Sequence, residues 1–170
     1  MIAYLLILLG ILLRLVPHAA NMAPVAAIAL FAGAYLDRRI APWVPLAIMV
    51  ASDLVIGLHD VVFYTWGAFL LTGFMGVFTL REKRTPARVM GVTAGASILF
   101  FLITNFGVWL AWYPRTFAGL ADCYVKALPF IRNTLASNLI AAAVLFGVYE
   151  LLARTVKKPV ARKVLFAGSA

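Results

Sequence analysis

The sequence predicts an all-α, polytopic integral membrane protein with six transmembrane helices. Of its 170 residues, 65% are hydrophobic and 12% are charged, whereas about a quarter of residues are charged in soluble proteins. The mean hydropathy is +1.01. A spanning helix needs about 20 predominantly apolar residues, so six helices leave almost no room for a soluble domain. A single cysteine excludes an internal disulfide, and no Cys/His spacing indicates a metal site.

Six apolar segments predict the helices, at residues 2–16, 22–36, 41–58, 61–80, 89–112 and 135–152. The first resembles the apolar part of a signal peptide. Residues 1–4 lack the basic residues that usually precede such a segment, so we expect a retained helix. Its length of ~22 Å is less than the ~30 Å hydrocarbon core. Most prolines fall at segment ends, where a helix can begin or end.

The longest connection, residues 113–133, contains a helical pattern of its own. Leu120, Tyr124, Ala127 and Leu128 recur at helical spacing, which predicts a short interfacial helix. No internal repeat is visible, and no linker is long enough to divide the chain. We therefore assign residues 1–153 to one six-helix transmembrane domain and residues 154–170 to a basic cytoplasmic tail.

The basic residues predict the orientation. Eleven of the 15 follow the second, fourth or sixth segment: Arg38, Arg39, Arg81, Lys83, Arg84, Arg88, Arg154, Lys157, Lys158, Arg162 and Lys163. The other four are Arg14, Arg115, Lys126 and Arg132. Cytoplasmic loops carry the excess of Lys and Arg, so both termini are expected in the cytoplasm. The net charge of +9 is explained in the same way, with attraction to anionic lipid, and we expect no nucleic-acid partner.

Polar residues in or beside the apolar segments concentrate toward the predicted extracytoplasmic side. Such residues are costly in hydrocarbon and usually line cavities or pathways. They predict an outward-facing pocket, closed on its inner side by apolar packing. The expected ligand-binding residues are Arg14, His18, Asn21, Asp53, His59, Trp66, Asn105, Trp109, Tyr113, Arg115, Arg132 and Asn133. Ser52, Asp60, Tyr64, Cys123, Lys126 and Asn138 lie on the same side.

Structural roles compete with binding at each position. Arg14 and Arg132 could extend to lipid headgroups, and Asp53 could form a structural ion pair with one of them. His59 could belong only to a turn, and the Trp and Tyr residues suit an aromatic belt. Asn105 most needs a partner, because a carboxamide within a membrane must bond to a neighbouring helix, water or a ligand.

Enzymatic chemistry finds little support in the sequence. It has no glycine-rich phosphate loop, histidine-rich metal motif or nucleophile elbow, so we expect neither an enzyme nor a bound cofactor. Matching broken helices in two halves would favour a secondary transporter, and they are not visible. A channel would require several copies of so short a chain to enclose a pore.

Several runs of the sequence resemble a known family. They are RLVPHAANMAPVAAIALFAGAY at 14–35, PL at 45–46 with SDL at 52–54, TNFGVW at 104–109, YPRT at 113–116, CYVKALPF at 123–130 and RNTL at 132–135. Together they resemble a bacterial family of uncharacterised proteins assigned to transport. More distantly, the order of six short helices resembles the S components of energy-coupling-factor vitamin transporters, a likeness at the level of the fold.

The S-component resemblance implies a subunit of the bacterial inner membrane that captures a vitamin or metal ion from outside. Such a subunit topples within the membrane when a partner module hydrolyses ATP. Many S components dock to that module through Ala-x-x-x-Ala on the first helix, and residues 2–16 have no such pair. The nearest matches are Ala19/Ala23, Ala23/Ala27 and Ala29/Gly33. The resemblance is therefore compatible with an ATPase module or with a solitary S component.

The expected function is capture of a small cofactor-like solute for uptake. Arginines 14, 115 and 132 would neutralise an anionic group, asparagines 21, 105 and 133 would orient it, and Trp66, Trp109 and Tyr113 would stack on its ring. The alternative is a non-transporting accessory subunit of a larger membrane complex. Its partner would contact a helix face of small residues, either Ala26, Ala29 and Gly33 or Gly91, Ala94 and Gly95.

Overall fold

The computed structural model describes residues 2–17 and 21–166, with side chains described for 4–17 and 21–154. Within these ranges every regular element is helical, which confirms the all-α fold class. The helices are α1 (Ile2–Leu15), α2 (Val25–Tyr35), α3 (Trp43–Ile56), α4 (Val62–Leu80), α5 (Pro86–Trp112) and α6 (Phe117–Phe166). Each begins within or close to a predicted segment, except α6, which begins earlier in the chain.

Within the described ranges, three helices are long and apolar enough to cross a membrane. They are α4, α5 and the Phe117–Arg154 part of α6. Helices α1, α2 and α3 are apolar but have only 14, 11 and 14 residues, below the ~20 residues of a typical spanning helix. The described part of the chain therefore has three helices with the length and composition that a membrane-spanning helix needs.

The connection before the last helix differs from the prediction of a separate interfacial helix. Its helical character is confirmed, but α6 is one continuous helix of 50 residues. Pro129 lies inside it and has no amide hydrogen to donate to the carbonyl of Val125. The chain stays helical on both sides of this missing bond, and again at Pro159 further along the same helix. The same helix also continues beyond residue 153, into the segment assigned to the tail.

Helix α2 is the centre of the bundle although it is the shortest helix. All its residues from Val25 to Ala34 are buried, and it packs against each of the other five helices. It approaches α4 most closely. A Cβ atom added at Gly33 would lie 2.6 Å from the carbonyl carbon of Gly76, so the two glycines allow the backbones to meet. A helix that is apolar on every side is expected in such an interior position.

Two arginines donate hydrogen bonds to carbonyls at the C-terminal end of α2. The last carbonyls of a helix have no partner within it. Arg81 Nη1 donates to Leu36 O at 2.7 Å, and Arg84 Nη1 donates to Ala34 O at 3.1 Å. These residues, whose charge predicted the orientation, therefore also hold the end of the central helix.

The bundle has two chemically different ends. At the basic end, α2 and α4 finish and the loop 81–85 packs beneath them, with Tyr35 of α2 donating to Glu150 of α6 at 2.7 Å. At the opposite end, called the cavity end below, α1, α3 and α5 finish and α2, α4 and α6 begin. Among the described residues α1 and α6 do not pack against each other. This leaves a gap in the ring of helices around α2.

Candidate functional site

A cavity of about 540 Å³ lies at the cavity end, beside the N-terminus of α2. Residues of all six helices, or of the connections next to them, contribute to its wall. A cleft of 300–1,000 Å³ is typical of small-molecule sites. Its lining residues are Arg14, Asn21, Ala23, Val25, Met49, His59, Val61, Thr65, Phe69, Phe100, Thr104, Asn105, Val108, Tyr113, Cys123, Lys126, Ala127, Phe130, Thr134 and Asn138.

Arg14 forms one side of the cavity and is held by α3. Its Nη2 lies 2.7 Å from Asp53 Oδ1, and its Nη1 donates to Ser52 Oγ and to the sulfur of Met49 at 3.1 Å. Asp53 is only 1% exposed, and Trp66 Nε1 donates to its other oxygen at 2.8 Å. Of the alternatives for Asp53, the structure therefore shows the ion pair with Arg14.

The contact between Arg14 and Asp53 is short but not well aligned. Asp53 Oδ1 is buried and accepts no hydrogen bond of good geometry from the described residues, although the guanidinium nitrogen is close enough for strong attraction. The distance settles the assignment as an ion pair, because Coulomb attraction depends on separation more than on direction. The positive charge of Arg14 is consequently balanced within the protein.

Asn138 connects the cavity to the central helix. It is 2% exposed, and its Oδ1 accepts from the amide of Ala27 at 3.1 Å. Its Nδ2 donates to Ser97 Oγ at 3.3 Å and to Thr134 O at 2.9 Å. Pro24 precedes α2 without a side-chain cap, so Asn138 of α6 supplies the cap from a distant part of the chain. Both of its amide hydrogens and one lone pair of Oδ1 are therefore used in this structural role.

Three threonines on α4, α5 and α6 present hydrogen-bond acceptors to the wall. Thr65, Thr104 and Thr134 each donate their hydroxyl hydrogen to the carbonyl four residues earlier, at 3.3, 2.9 and 3.1 Å. A hydroxyl has one hydrogen and two lone pairs. These hydroxyls can therefore accept a further hydrogen bond from a bound molecule without losing the one inside the helix.

Asn105 keeps part of its hydrogen-bonding capacity. Its Nδ2 donates to Phe101 O at 2.8 Å, which leaves Oδ1 and the second amide hydrogen for another partner. Cys123 is buried, and its sulfur lies 3.5 Å from the backbone oxygen of Asn105. This contact joins α5 to the first part of α6 at the wall of the cavity.

The second cation of the wall, Lys126, is also balanced by a carboxylate. Its Nζ lies 2.7 Å from Asp122 Oδ2, one turn earlier on α6, and 5.7 Å from the centroid of the Tyr113 ring. Both groups of the Lys126 pair are largely exposed, so the pair contributes little to stability. The cavity wall thus combines neutral amides and hydroxyls with two internally compensated cations.

The structure brings together five of the predicted binding residues at the cavity: Arg14, Asn21, His59, Asn105 and Tyr113. Asp53 and Trp66 do not line the cavity. Asp53 pairs with Arg14, and Trp66 donates a hydrogen bond to Asp53. Trp109 donates instead to Pro114 O at 2.9 Å, in the turn after α5. Trp109, Arg115, Arg132 and Asn133 are not among the residues that line the cavity. His18 lies outside the described residues.

The threonines and the apolar residues of the wall were not among the residues predicted from the sequence. Thr65, Thr104 and Thr134 were not proposed because threonine is common in apolar helices, where its hydroxyl can bond to its own backbone. Met49 and the phenylalanines of the wall resemble any other core residue. Lys126 and Cys123 were predicted to lie on the same side as the pocket but were not assigned to the site; both line the cavity. Nothing in their spacing distinguishes them.

Neither a metal centre nor an established binding motif stands out among the described side chains. They contain no group of three or more His, Cys, Asp and Glu residues close enough to hold a metal ion. The chemistry that the cavity offers is hydrogen bonding and apolar contact with a small molecule. Its volume lies in the range of small-molecule sites.

The chain matches a protein-family model. It covers residues 1–161 and is described as a family of unknown function, DUF6580. No curated protein and no solved structure matches.

Proposed function

The chain belongs to the DUF6580 family, and we propose that it is a membrane transport protein of the S-component type, which captures a small cofactor-like solute for uptake. The observation that carries this proposal is the cavity of about 540 Å³ at one end of an apolar bundle. Its wall offers amides, hydroxyls and aromatic rings to one ligand, as small-molecule sites do. The transport function in this proposal comes from the resemblance of the six-helix order to S components.

The proposed ligand combines an apolar or aromatic ring with hydrogen-bonding groups. Asn105, Thr104 and Thr134 would bind its polar edge, and Phe100 and Tyr113 would contact its ring. The ion pair leaves Arg14 little unbalanced charge for an anion. We therefore propose that Arg14 acts mainly through hydrogen bonds to the ligand, since a guanidinium carries five N–H groups.

The proposed topology has six membrane crossings, with both termini in the cytoplasm and the cavity facing outward. The distribution of basic residues supports this orientation, because those of the connections 37–42 and 81–85 lie at the end opposite the cavity. In this arrangement the short helix α2 crosses where the other five helices contact it, and the short helices α1 and α3 cross beside it. Uptake would then proceed with an ATPase module or by the solitary protein, in the bacterial inner membrane.

Untargeted mass spectrometry of small molecules that co-purify with the detergent-solubilised protein tests the proposal. Thr104→Val should weaken retention of such a molecule about threefold to tenfold, since a neutral hydrogen bond contributes roughly 0.5–1.5 kcal/mol. Thr79→Val is the matched control, because Thr79 also donates to the carbonyl four residues earlier, at 2.6 Å, and does not line the cavity. Equal retention by both variants would count against the cavity as the site.

One observation favours the accessory-subunit alternative. A Cβ atom added at Gly91 or Gly95 on α5 would meet no atom within 4 Å, so this face of small residues is open to a partner helix. The other predicted face is closed, because Ala26 and Ala29 are fully buried. Reproducible co-purification of a membrane protein that Gly95→Leu abolishes would favour this function. A wild-type protein that purifies with a solute and no partner would exclude it.

A further inference from the structure

A second cavity, a groove of about 640 Å³, lies at the basic end between the start of α5 and the later part of α6. Its apolar part includes Val89, Phe146 and Gly147, and its polar part includes Arg84, Glu150 and Arg154. Both helices are of spanning length. The groove shares no lining residue with the first cavity, although Ala142 lies one turn after Asn138 on α6. Nothing in the proposed solute capture uses it.

The chemistry of the groove changes along the axis of α6. The lining begins at Ala142 and ends at Arg154, a distance of about 18 Å at 1.5 Å per residue. The first part is made of alanine, glycine and phenylalanine, and the charged groups come only at the basic end. The groove is therefore apolar where the acyl chains of a bilayer leaflet would lie and positively charged where the lipid headgroups would lie.

The two arginines of the groove have unused binding capacity. Neither forms an ion pair with a described acidic side chain, whereas Arg14 and Lys126 both do. Arg84 uses Nη1 for Ala34 O and Arg81 O, at 3.1 and 2.7 Å. Of the five N–H groups of its guanidinium, three are left without a protein acceptor in the described part.

Glu150 offsets only one of these two positive charges. Its Oε1 accepts the hydroxyl hydrogen of Tyr35 at 2.7 Å, which ties the carboxylate to the end of α2. With one carboxylate and two arginines, the polar part of the groove keeps a net positive charge. An anionic group is therefore the chemically complementary occupant.

We propose that this groove binds one anionic phospholipid of the surrounding bilayer. The phosphate bonds to Arg84 and Arg154, because guanidinium groups match phosphate oxygens in geometry and charge. One acyl chain lies along Ala143 and Gly147, whose small side chains leave the groove open. Basic pockets between helices on the cytoplasmic side favour such headgroups. The proposal needs the chain to be in a membrane and is independent of the solute cavity.

Gly147→Leu tests the acyl-chain part of the groove. A Cβ atom at Gly147 would meet no atom within 4 Å, so a leucine fills the groove without disturbing the packing of the helices. Gly67→Leu on α4 is the matched control, since its Cβ would also meet nothing within 4 Å and it lines neither cavity. Arg154→Gln tests the proposed contact between Arg154 and the lipid phosphate. Arg38→Gln is its control, because it removes one positive charge from the same end of the bundle.

The measurement is mass spectrometry of the intact protein, released from detergent micelles that contain phosphatidylglycerol or phosphatidylcholine. The wild type should retain one phosphatidylglycerol in preference to phosphatidylcholine. Arg154→Gln should weaken that retention about tenfold, as expected for a lost charge-assisted hydrogen bond, and Gly147→Leu should abolish it. Both controls should behave as the wild type.

Three results would overturn the proposal. One is equal retention of the two lipids by the wild type, and another is wild-type retention by both groove variants. A third is a membrane protein that co-purifies with the wild type and is lost in Gly147→Leu, which would assign the groove to a protein partner. If Gly147→Leu does not fold, the comparison of Arg154→Gln with Arg38→Gln still shows whether the groove binds the lipid phosphate.

Discussion

The buried ion pair between Arg14 and Asp53 provides the sharpest test of the structure. Asp53→Asn keeps the volume of the side chain and an oxygen to accept from Trp66, but it leaves the charge of Arg14 without a partner. Arg14→Met leaves the carboxylate of Asp53 unpaired at 1% exposure. Removing one member of a buried pair costs about 3–5 kcal/mol, so each single variant should lose about that much free energy of unfolding.

The double variant Arg14→Met/Asp53→Asn should be more stable than the sum of the single losses implies. It removes both charges together and retains the bond from Trp66, so no buried charge is left unpaired. We expect a coupling free energy of about 2–3 kcal/mol between the two positions, near the upper end of the range for residues in contact. Reversible unfolding in mixed micelles, titrated with a denaturing detergent, measures all three variants under one condition.

Additive losses in the double variant would refute the reasoning, because they would mean that the two side chains do not interact. A loss below about 1 kcal/mol for Asp53→Asn would mean that the carboxylate is hydrated or protonated rather than paired. If the Asp53→Asn protein is stable but no longer retains its solute, Asp53 would be assigned to ligand binding and not to a structural ion pair.

Two further predictions concern packing and orientation. Gly33→Val should lower the free energy of unfolding by about 1–3 kcal/mol or more, because a Cβ atom there would lie 2.6 Å from the backbone of Gly76. Gly67→Ala is the control, since the space around Gly67 is open. In the same denaturation assay it should be neutral or stabilising by up to about 1 kcal/mol. In a background without the native cysteine, a membrane-impermeant thiol reagent applied to intact cells should label a cysteine placed at Asp60 and not one placed at Arg38. The reverse labelling would invert the proposed topology.

The buried position of Cys123 changes how the orientation can be measured. Its side chain is 2% exposed, so the native thiol is a poor target for a soluble reagent even if the cavity end faces the outside. Failure to label it would carry no information on topology. Introduced cysteines in exposed loops are the informative probes.

The helices were the part of the fold most accessible to prediction. Segment 61–80 became α4 (Val62–Leu80), and segment 89–112 lies within α5 (Pro86–Trp112). Long apolar stretches have to be helical because hydrocarbon offers no partner for the backbone. The continuity of α6 was not predicted. Pro129 and the polar residues before it resemble an interruption, whereas the loss of one hydrogen bond is tolerated when the turns on both sides remain intact.

The candidate site was predicted only in part, and Arg14 and Asn138 show why. Both are polar residues in apolar segments, which identifies them as residues that need partners. The sequence does not say that Arg14 meets Asp53 from the helix α3, or that Asn138 caps α2 from more than a hundred positions away. Such pairs form between elements distant along the chain, and their identity depends on how the helices pack.

What the sequence by itself determined is the class of protein: an apolar, all-helical chain with its positive charge concentrated in alternate connections. These properties follow from composition and from local backbone hydrogen bonding. Only the tertiary structure decided that the shortest helix is the central one, and which polar side chains face the cavity. In soluble helices a polar face marks the outside, but these helices are apolar nearly all round. Their orientation is therefore set by close contacts such as that of Gly33 with Gly76, and by the few polar groups that must find partners.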